Sequence, residues 1–420
     1  MGMPRYYGWR IIFTLAITET ISYGIIYYAF SVMLAPMAAD TGWSRAELTG
    51  GFSLALLVTG AMAFPIGSWV DKHGTRALMT AGSIGASILV ILWSQVTTLP
   101  AFYLVWIGLG VCGAMVFYEP AFAAAATWFT RQRAKALATI TFAAGLASTI
   151  FVPLSDLLMR TYGWRDATLI LGILLAATTI LPHAVILRRR PQDLGLFPDG
   201  DAHDTRVVHA KAAQPDATLR HALHSRVFWL MTFAFAVAGF SASAIRVHFI
   251  PYLTDSGIDS STAAAASGAI GLMQVLGRVI FAPLDSRLPS RIIAAGIFSM
   301  QAAAMMVLFL GVTPLVIVIF VVVFGTAYGA QTLARPSMIA ETFGSAHYGR
   351  ISSVLSIFTT ITGTVAPLVA ALSFDITGSY DLLLILIVGL AVLSTGVMLY
   401  ARAPQVDLTR AAASPSQSTS

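Results

Sequence analysis

Charged residues are scarce in this sequence. Only 10% of the 420 residues are Asp, Glu, Lys or Arg, whereas 57% are apolar and the mean hydropathy is +0.78. A water-soluble protein needs charge on about a quarter of its residues, so the scarcity excludes a set of soluble domains and indicates a protein embedded in the lipid bilayer. The net charge of +6 would favour nucleic acid as a partner of a soluble protein, but the positions of the charges exclude that interpretation.

Cysteine is nearly absent too, because Cys112 is the single one and lies within an apolar run. This excludes a disulfide framework. The sequence also lacks a metal-ligand cluster and a nucleophile–base constellation, so we expect no metal, no other cofactor and no enzyme activity. A cleavable signal peptide is not expected either, since the first apolar run is long enough to span a membrane and lacks a small-residue cleavage site.

Twelve apolar runs are long enough to cross a membrane, given that a spanning helix needs ~20 residues. They cover roughly 9–35, 47–70, 76–96, 100–129, 135–160, 165–187, 227–253, 262–284, 291–312, 315–343, 350–374 and 381–401. The stretch from Arg188 to Arg226 divides them six and six and holds 12 of the 44 charged residues. We therefore predict an all-α membrane protein with six-helix bundles at 1–187 and 227–402, a cytoplasmic linker at 188–226 and a disordered tail at 403–420.

The two halves carry the same residues in the same order. Pro36, Asp40, Gly42, Gly163 and Asp166 recur 215 positions later as Pro251, Asp255, Gly257, Gly378 and Asp381. Within one residue of that offset, Pro100, Pro120 and Pro153 recur as Pro314, Pro336 and Pro367. Eight matches in one order indicate a duplicated unit, so we expect the two bundles to be pseudo-symmetric.

Basic residues indicate how the chain crosses the membrane. If the termini are cytoplasmic, 19 of the 25 Lys and Arg residues fall in cytoplasmic segments, three in outer loops and three inside helices. Because Lys and Arg accumulate in cytoplasmic loops, we predict that both termini face the cytoplasm. The mixture of Arg and Asp in the linker suits a segment that faces lipid headgroups, and nothing in it indicates a protein partner.

Several ionisable residues lie inside the predicted helices. They are Glu19, Glu119, Arg246, Arg278 and Arg335, with Asp156 near a helix end as a weaker case. Each costs ~2.5–3.5 kcal/mol on insertion scales, so each needs a partner or a function. Counting ~1.5 Å per residue from the helix ends predicts that Glu19, Glu119, Arg278 and Arg335 share one layer, with Arg246 far outward of it.

The loop after the second predicted helix, Gly67 to Arg76, reads GSWVDKHGTR. Such a turn places a carboxylate where it can cap a neighbouring helix or pair with a base. It resembles the signature of the major facilitator superfamily, in which this loop latches the two halves together when the cavity opens outward. The resemblance implies a gating role for Asp71 and Arg76, and the alternative is a solvated turn that only fixes the topology.

A narrower resemblance covers nearly the whole chain. Its motifs are YGWR at 7–10, GWSR at 42–45, WFTRQR at 128–133, YGWR at 162–165 and QVLGR at 274–278. They are similar to those of bacterial monocarboxylate transporters and oxalate–formate exchangers. The resemblance implies a carrier of small organic anions in the bacterial inner membrane that works by alternating access. A membrane receptor or sensor that uses the carrier fold without transporting is the alternative from another class.

The resemblance also implies where the substrate binds. A helix 8 arginine in this motif takes the substrate carboxylate in the resembled family, which gives that role to Arg278, and a guanidinium can hold a carboxylate through two parallel hydrogen bonds. Gln274, one turn earlier, shares its helix face. The alternative for Arg278 is a structural ion pair with Glu19.

Tyrosines form the next group of candidates. Tyr118 and Tyr328 lie near the kinks of helices 4 and 10, where tyrosines of similar carriers close over the ligand. Tyr23 and Tyr27 on helix 1, and Gln331 near Tyr328, are further candidate contacts with the anion. Some of the helix 1 tyrosines must simply pack.

Gating and proton coupling are predicted from the remaining ionisable groups. Glu119 and Arg335 hold equivalent positions in the two repeats, and we expect them to form an inner gate that pairs when the cytoplasmic side is shut. The alternative is a permanent partner within each half. Arg246 belongs to the same gating group.

His248 lies close to where the family has a histidine on helix 7, and because histidine titrates near neutral pH it is a candidate proton carrier with Glu19 and Glu119. Hydrogen bonding to the backbone freed by Pro251 is its alternative.

The predicted function is therefore symport of monocarboxylates with protons. Residues 351–374 contain no Lys or Arg, so helix 11 lacks the second cation of the oxalate exchangers, unless Arg335 or Arg246 replaces it. Anion exchange is an alternative, because it would need no net protonation. Drug efflux is another, weakened because helix 5, with Gly145 and Pro153, lacks the dense Gly-Pro pattern of exporters.

Overall fold

The computed structural model describes residues 6–201, 218–285, 287–344 and 348–400, and every regular element in these ranges is helical. The twelve long helices are α1 (Tyr7–Thr41), α2 (Arg45–His73), α3 (Arg76–Trp93), α4 (Leu99–Trp128), α5 (133–162), α6 (164–186), α7 (Arg226–Asp255), α8 (Ser260–Asp285), α9 (Ser290–Leu308), α10 (Pro314–Phe343), α11 (Tyr348–Thr377) and α12 (Asp381–Tyr400). Short helices at Pro191–Leu194, Pro198–Gly200 and Leu219–His224 lie between α6 and α7.

The helix count agrees with the prediction. Eleven helical stretches of the described residues are long and apolar enough to cross a membrane. The longest of them, Lys135–Ile186, contains both α5 and α6, since the chain turns at Gly163, where φ is +81° and ψ is 165°. The prediction of an all-α protein with twelve spans is confirmed. The first span runs on through Pro36 and stops only at Gly42, which adopts φ of +74°.

The sequence repeat reappears as a repeat of backbone turns. Gly42 and Gly257 both adopt the left-handed region, at φ of +74° and +86°, and Gly163 and Gly378 do so at +81° and +70°. A residue with a Cβ is strained there, which is why glycine ends a helix at each equivalent position. The two halves therefore fold by the same local rules.

Helices α1 and α4 of the first half are both irregular at mid-depth. In α1, residues Tyr23–Tyr28 form a π-helical segment, a feature that is frequent at functional sites. Within it, a Cβ on Gly24 would lie 2.2 Å from the ring of Phe151, so the missing side chain lets α1 approach α5. In α4, Phe117 is extended and the helix begins again at Tyr118.

The linker starts on the first half. The Asp199 carboxylate accepts the backbone N–H groups of Thr130, Arg131 and Gln132 at 2.7 to 3.0 Å, which holds residues 199–201 against the end of α4. We call this end of the bundle the linker end and the opposite one, where Gly42 and Gly257 turn the chain, the loop end. Linker residues 202–217 and the tail at 403–420 lie outside the described residues.

The halves meet along three helix pairs, α1 with α7, α2 with α11 and α5 with α8. Small residues allow the closest approach: a Cβ on Gly271 of α8 would lie 2.2 Å from the Ser148 hydroxyl of α5, and Thr149 Oγ1 donates to the Gly268 carbonyl at 2.8 Å. Hydrogen bonds and ion pairs of the described residues join the halves at the loop end and at mid-depth. The arrangement is therefore sealed at the loop end.

Candidate functional site

A small cavity of about 20 Å³, enough for about one water molecule, lies at mid-depth between the two halves. Its lining is formed by Tyr28 and Ser148 of the first half and by Ala242, Ile245, Arg246, Ser267, Ile270, Gln274, Phe324 and Tyr328 of the second. Tyr28 belongs to the π-helical segment of α1. Most of these side chains are apolar, and a few polar groups converge on the space, which is the usual composition of a small-molecule site.

Arg246 of α7 provides the positive charge of this cavity. Its guanidinium donates to the hydroxyls of Tyr27 on α1 and Tyr328 on α10. The same group lies 4.8 Å from the ring centroid of Tyr27 and 5.6 Å from that of Tyr328. Its hydrogen-bond partners are thus neutral, and the ion pairs of the described residues involve other side chains. A half-buried cation held by neutral groups suits an anionic ligand.

This placement corrects the depth count, which put Arg246 far outward of the other ionisable groups. Arg246, Gln274 and Tyr328 line one cavity. Gln274 is fixed there by close packing of α8 against α10, because a Cβ on Gly329 would lie 2.0 Å from the Gln274 carbonyl oxygen. Of the predicted substrate group, the structure brings Gln274, Tyr328 and, through Arg246, Tyr27 together.

Arg278 lies one turn from Gln274 toward the linker end and crosses to the first half. It donates to the carbonyl of Thr141 at 2.9 Å, and its guanidinium lies 6.0 Å from the Phe142 ring centroid. Its Nε is buried without a hydrogen-bond partner among the described residues. Arg278 is not part of the cavity lining, and its hydrogen bond to Thr141 replaces the predicted alternative, an ion pair with Glu19.

Glu19 of α1 is fully buried, at 0% exposure, and both carboxyl oxygens lack a hydrogen-bond partner among the described residues. An ionised carboxylate without a partner is costly in such a place. The neutral, protonated carboxyl is therefore the form that fits this arrangement. Tyr23 and Tyr118, whose rings lie 4.9 Å apart, are in electrostatic range of it.

His248 and Gln331 are not among the residues that line the cavity, and their substrate role stays a prediction. His248 Nε2 is 2.9 Å from the Pro367 carbonyl, which can only accept, so the other ring nitrogen accepts from the Tyr380 hydroxyl at 2.9 Å. Burial raises the pKa of Tyr380 to about 12, so that hydroxyl keeps its proton. Gln331 accepts from the Gln301 amide at 2.7 Å. The partner of His248 is thus not the backbone freed by Pro251.

The structure shows Glu119 and Arg335, the two residues of the predicted inner gate, in one state. Glu119 is exposed in the first turn of the helix that begins again at Tyr118, a position where the helix dipole favours an acid. Arg335 lies 3.5 Å from Thr359 Oγ1 within its own half. Pairing of Glu119 with Arg335 in another state stays a prediction.

The loop between α2 and α3 is tied to its own half. Arg76 Nε donates to the Ala184 carbonyl at 2.7 Å, and Arg189 donates to the carbonyl of Lys72. Gly74 makes the turn at φ of +78°. The side chain of Asp71 lies outside the described part of the chain, so the latch role of Asp71 and Arg76 stays a prediction.

An interaction that latches the two halves together at the loop end was not among the predictions from the sequence. Arg45 donates twice to Asp255 of the other half, at 2.6 and 2.8 Å, and once to Tyr380 at 2.9 Å. Its guanidinium lies 4.1 Å from the Phe374 ring centroid, and the Ala46 N–H donates to Asp375 at 3.0 Å. The repeat contained a signal: Asp40, the counterpart of Asp255, pairs with Arg165 at 3.2 Å, so the acid has an arginine partner in both copies.

Replacing Asp255 with asparagine is expected to open the loop end. The ion pair is partly buried and doubly hydrogen-bonded, so its loss should cost about 1 to 1.4 kcal/mol, which is about 5- to 10-fold in the population of open molecules. Spin labels at Gln95→Cys and Leu310→Cys, in a Cys112→Ser background, report that population as a longer interlabel distance. Asp259→Asn is the matched control, because Asp259 bonds only to its neighbours Ser261 and Thr262. Equal distance distributions for Asp255→Asn and the parent would refute the latch.

Comparison with known proteins identifies the family to which a chain with this fold and cavity belongs. Residues 15–367 match the model of the Major Facilitator Superfamily. The chain is 24% identical to an uncharacterized MFS-type transporter of Bacillus subtilis (strain 168), with 94% of each chain covered. It is 26% identical to monocarboxylate transporter 12 of Rattus norvegicus, over 94% of this chain and 85% of that one.

Solved structures give the same fold. A bacterial homolog of the human lysosomal transporter Spinster, in an inward-facing and occupied conformation, superimposes with a TM-score of 0.72 over 95% of this chain and 97% of that one, at 14% identity. Its inward-facing and unoccupied form gives 0.69. Twelve spans in two repeated halves around a mid-depth cavity fit this fold, and the family match covers most of the chain. The protein therefore belongs to the Major Facilitator Superfamily and is a transporter of that family.

Proposed function

We propose that the protein carries small organic anions, most simply monocarboxylates, together with protons across a bacterial inner membrane, by alternating access and with both termini in the cytoplasm. The observation that carries this proposal is the guanidinium of Arg246, which lies in a cavity between the halves with two tyrosine hydroxyls as its partners. A carboxylate entering the cavity would supply the missing negative charge. Gln274 of α8 lines the same cavity and can donate to the same anion.

Arg278 extends this site toward the linker end. Its main-chain partner, Thr141, is replaceable by a carboxylate, which makes a stronger, charge-assisted hydrogen bond. Arg278 lies closer to the linker end than Arg246 does. An anion can therefore pass from one guanidinium to the other as the two halves move relative to each other. The relatives named monocarboxylate transporters support a carboxylate cargo.

Proton coupling is assigned to Glu19. It is the buried acid of the first half whose oxygens have no partner among the described residues, so it can be neutral in one state and ionised in another that brings water or a cation to it. His248 is less suited to this role, because both of its ring nitrogens are satisfied within the second half.

Uptake by proteoliposomes tests the proposal directly. Purified protein should take up labelled lactate or pyruvate, and an interior made about one pH unit more alkaline should drive accumulation by up to about tenfold, since one unit is worth 1.36 kcal/mol for one proton per anion. If the pH gradient does not change accumulation while labelled anion still exchanges for unlabelled anion, the protein is an exchanger. Saturable binding without any uptake would favour a sensor, and transport of hydrophobic cations instead of carboxylates would favour an exporter.

A further inference from the structure

An open groove of about 750 Å³ lies on the outer side of the first half, between the start of α3, the end of α6 and the first linker residues. It is separate from the central cavity and shares no lining residue with it. One end is cationic: His73, Arg76, Arg188 and Arg189 line it, with Asp193 as the acid. Asp193 already pairs with Arg190 at 3.5 Å. The charge at this end of the groove therefore favours an anion.

Main-chain carbonyls fix the three arginines in place. Arg76 donates to Ala184 at 2.7 Å, Arg188 to Val185 and Leu187 at 2.6 and 2.9 Å, and Arg189 to the carbonyl of Lys72. A guanidinium has five N–H donors, and these bonds use one or two on each. The arginines are thus oriented by the backbone without losing their charge to a carboxylate, which is the arrangement that phosphate oxygens require.

The rest of the groove is mostly apolar, with Thr80 as its polar residue, and faces outward. Its lining continues along α3 through Ala77, Ala81 and Ile84, roughly 12 Å from Arg76 at ~1.5 Å per residue. Ile84 is 42% exposed, and Leu181 and Val185 on the adjoining face of α6 are 66% and 52% exposed. In a membrane protein such a face contacts acyl chains. A free phosphate would use only the cationic end, whereas a phospholipid would use both.

We propose that this groove binds one anionic glycerophospholipid, with the phosphate on Arg76, Arg188 and Arg189 and an acyl chain along Ala81 and Ile84. The groove lies at the linker end, where basic pockets between spanning helices meet lipid headgroups. The bound lipid would bridge α3, α6 and the linker, and so hold the start of the linker against the first half. This proposal does not depend on the transported substrate.

Native mass spectrometry of the purified full chain tests the site. After delipidation, titration with phosphatidylglycerol should give a first bound lipid with a dissociation constant at least tenfold lower than with phosphatidylcholine. The double variant Arg188→Ala/Arg189→Ala should lose that preference. Arg220→Ala/Arg226→Ala removes the same charge from exposed positions outside the groove and should keep it.

Two further experiments distinguish a bound phospholipid from bound inorganic phosphate and control for misfolding of the arginine variant. Ala81→Trp keeps every charge but fills the apolar part, and it should weaken phosphatidylglycerol binding at least threefold. Inorganic phosphate at tens of millimolar should not displace the lipid. Equal affinity for the two lipids, unchanged binding by Arg188→Ala/Arg189→Ala, or displacement by inorganic phosphate would each overturn the assignment.

Discussion

Replacing Arg246 with glutamine is expected to lower the efficiency of carboxylate uptake at least about 30-fold. Truncating one partner of a buried, hydrogen-bonded charge pair costs about 2 to 5 kcal/mol, and 1.4 kcal/mol is tenfold. Glutamine is uncharged and shorter, so the anion would enter a cavity that no longer balances its charge. The measurement is the initial rate of labelled uptake against substrate concentration, with a rise in KM as the main component.

Matched variants separate substrate binding from a purely structural tie between the halves. Tyr27→Phe removes the hydrogen bond from Arg246 to α1 but leaves the cation and the ring beneath it. If Arg246 holds the anion, Tyr27→Phe should cost less than about fivefold; if Arg246 only joins α7 to α1, Tyr27→Phe should match Arg246→Gln. Arg246→Lys keeps the charge without the planar fork and should fall between. Uptake by Arg246→Gln at the parent rate would remove Arg246 from the site.

The fold could be predicted from the sequence because the bilayer imposes simple rules. Apolar runs of spanning length, the repeated Pro, Asp and Gly positions and the polar linker gave the helix number and the two halves. Helix ends were less accurate, since proline does not stop a helix by itself: α1 passes Pro36 and ends where Gly42 turns. No count along the sequence could reveal the π-helical segment at Tyr23–Tyr28, which depends on how α1 packs against its neighbours.

The candidate site was predicted only in part, and Arg246 shows why. Counting residues places its Cα roughly 30 Å from the linker end and that of Gln274 roughly 16 Å. Side chains, however, point toward the N-terminus of their own helix. Because α7 and α8 run in opposite directions, Arg246 reaches toward the linker end and Gln274 toward the loop end, and the two meet in one cavity. Depth along a helix is thus a poor guide for long side chains.

Residue pairs that join the two halves could not be predicted from the sequence, for a different reason. The ion pair between Arg45 and Asp255 joins residues 210 positions apart, and one sequence contains no signal for such a pair except the repeat. The lack of a hydrogen-bond partner for the Glu19 carboxyl could not be predicted either, since it depends on how all neighbouring side chains are placed. The sequence identified Glu19 as an ionisable residue inside a predicted helix, and the structure adds that its oxygens have no partner among the described residues.

The second prediction with a large effect concerns proton coupling by Glu19, and the variant Glu119→Gln is its control. Both acids lie in spanning helices of the first half, but Glu119 is exposed whereas Glu19 is fully buried. If any acid near the cavity could couple transport to protons, glutamine at either position should have the same result. We expect Glu119→Gln to keep pH-driven accumulation within about twofold of the parent.

Glu19→Gln is expected to abolish that accumulation while leaving exchange of labelled for unlabelled anion within about threefold. Glutamine copies the shape of the neutral carboxyl that the buried site favours, so the anion can still bind and the halves can still rock. It cannot release a proton, so a pH gradient has nothing to act on and the accumulation ratio should fall from as much as about tenfold per pH unit to about one. Persistent gradient-driven accumulation in Glu19→Gln would show that the proton binds elsewhere. Loss of exchange as well would show that Glu19 supports the fold or the binding of the anion rather than coupling.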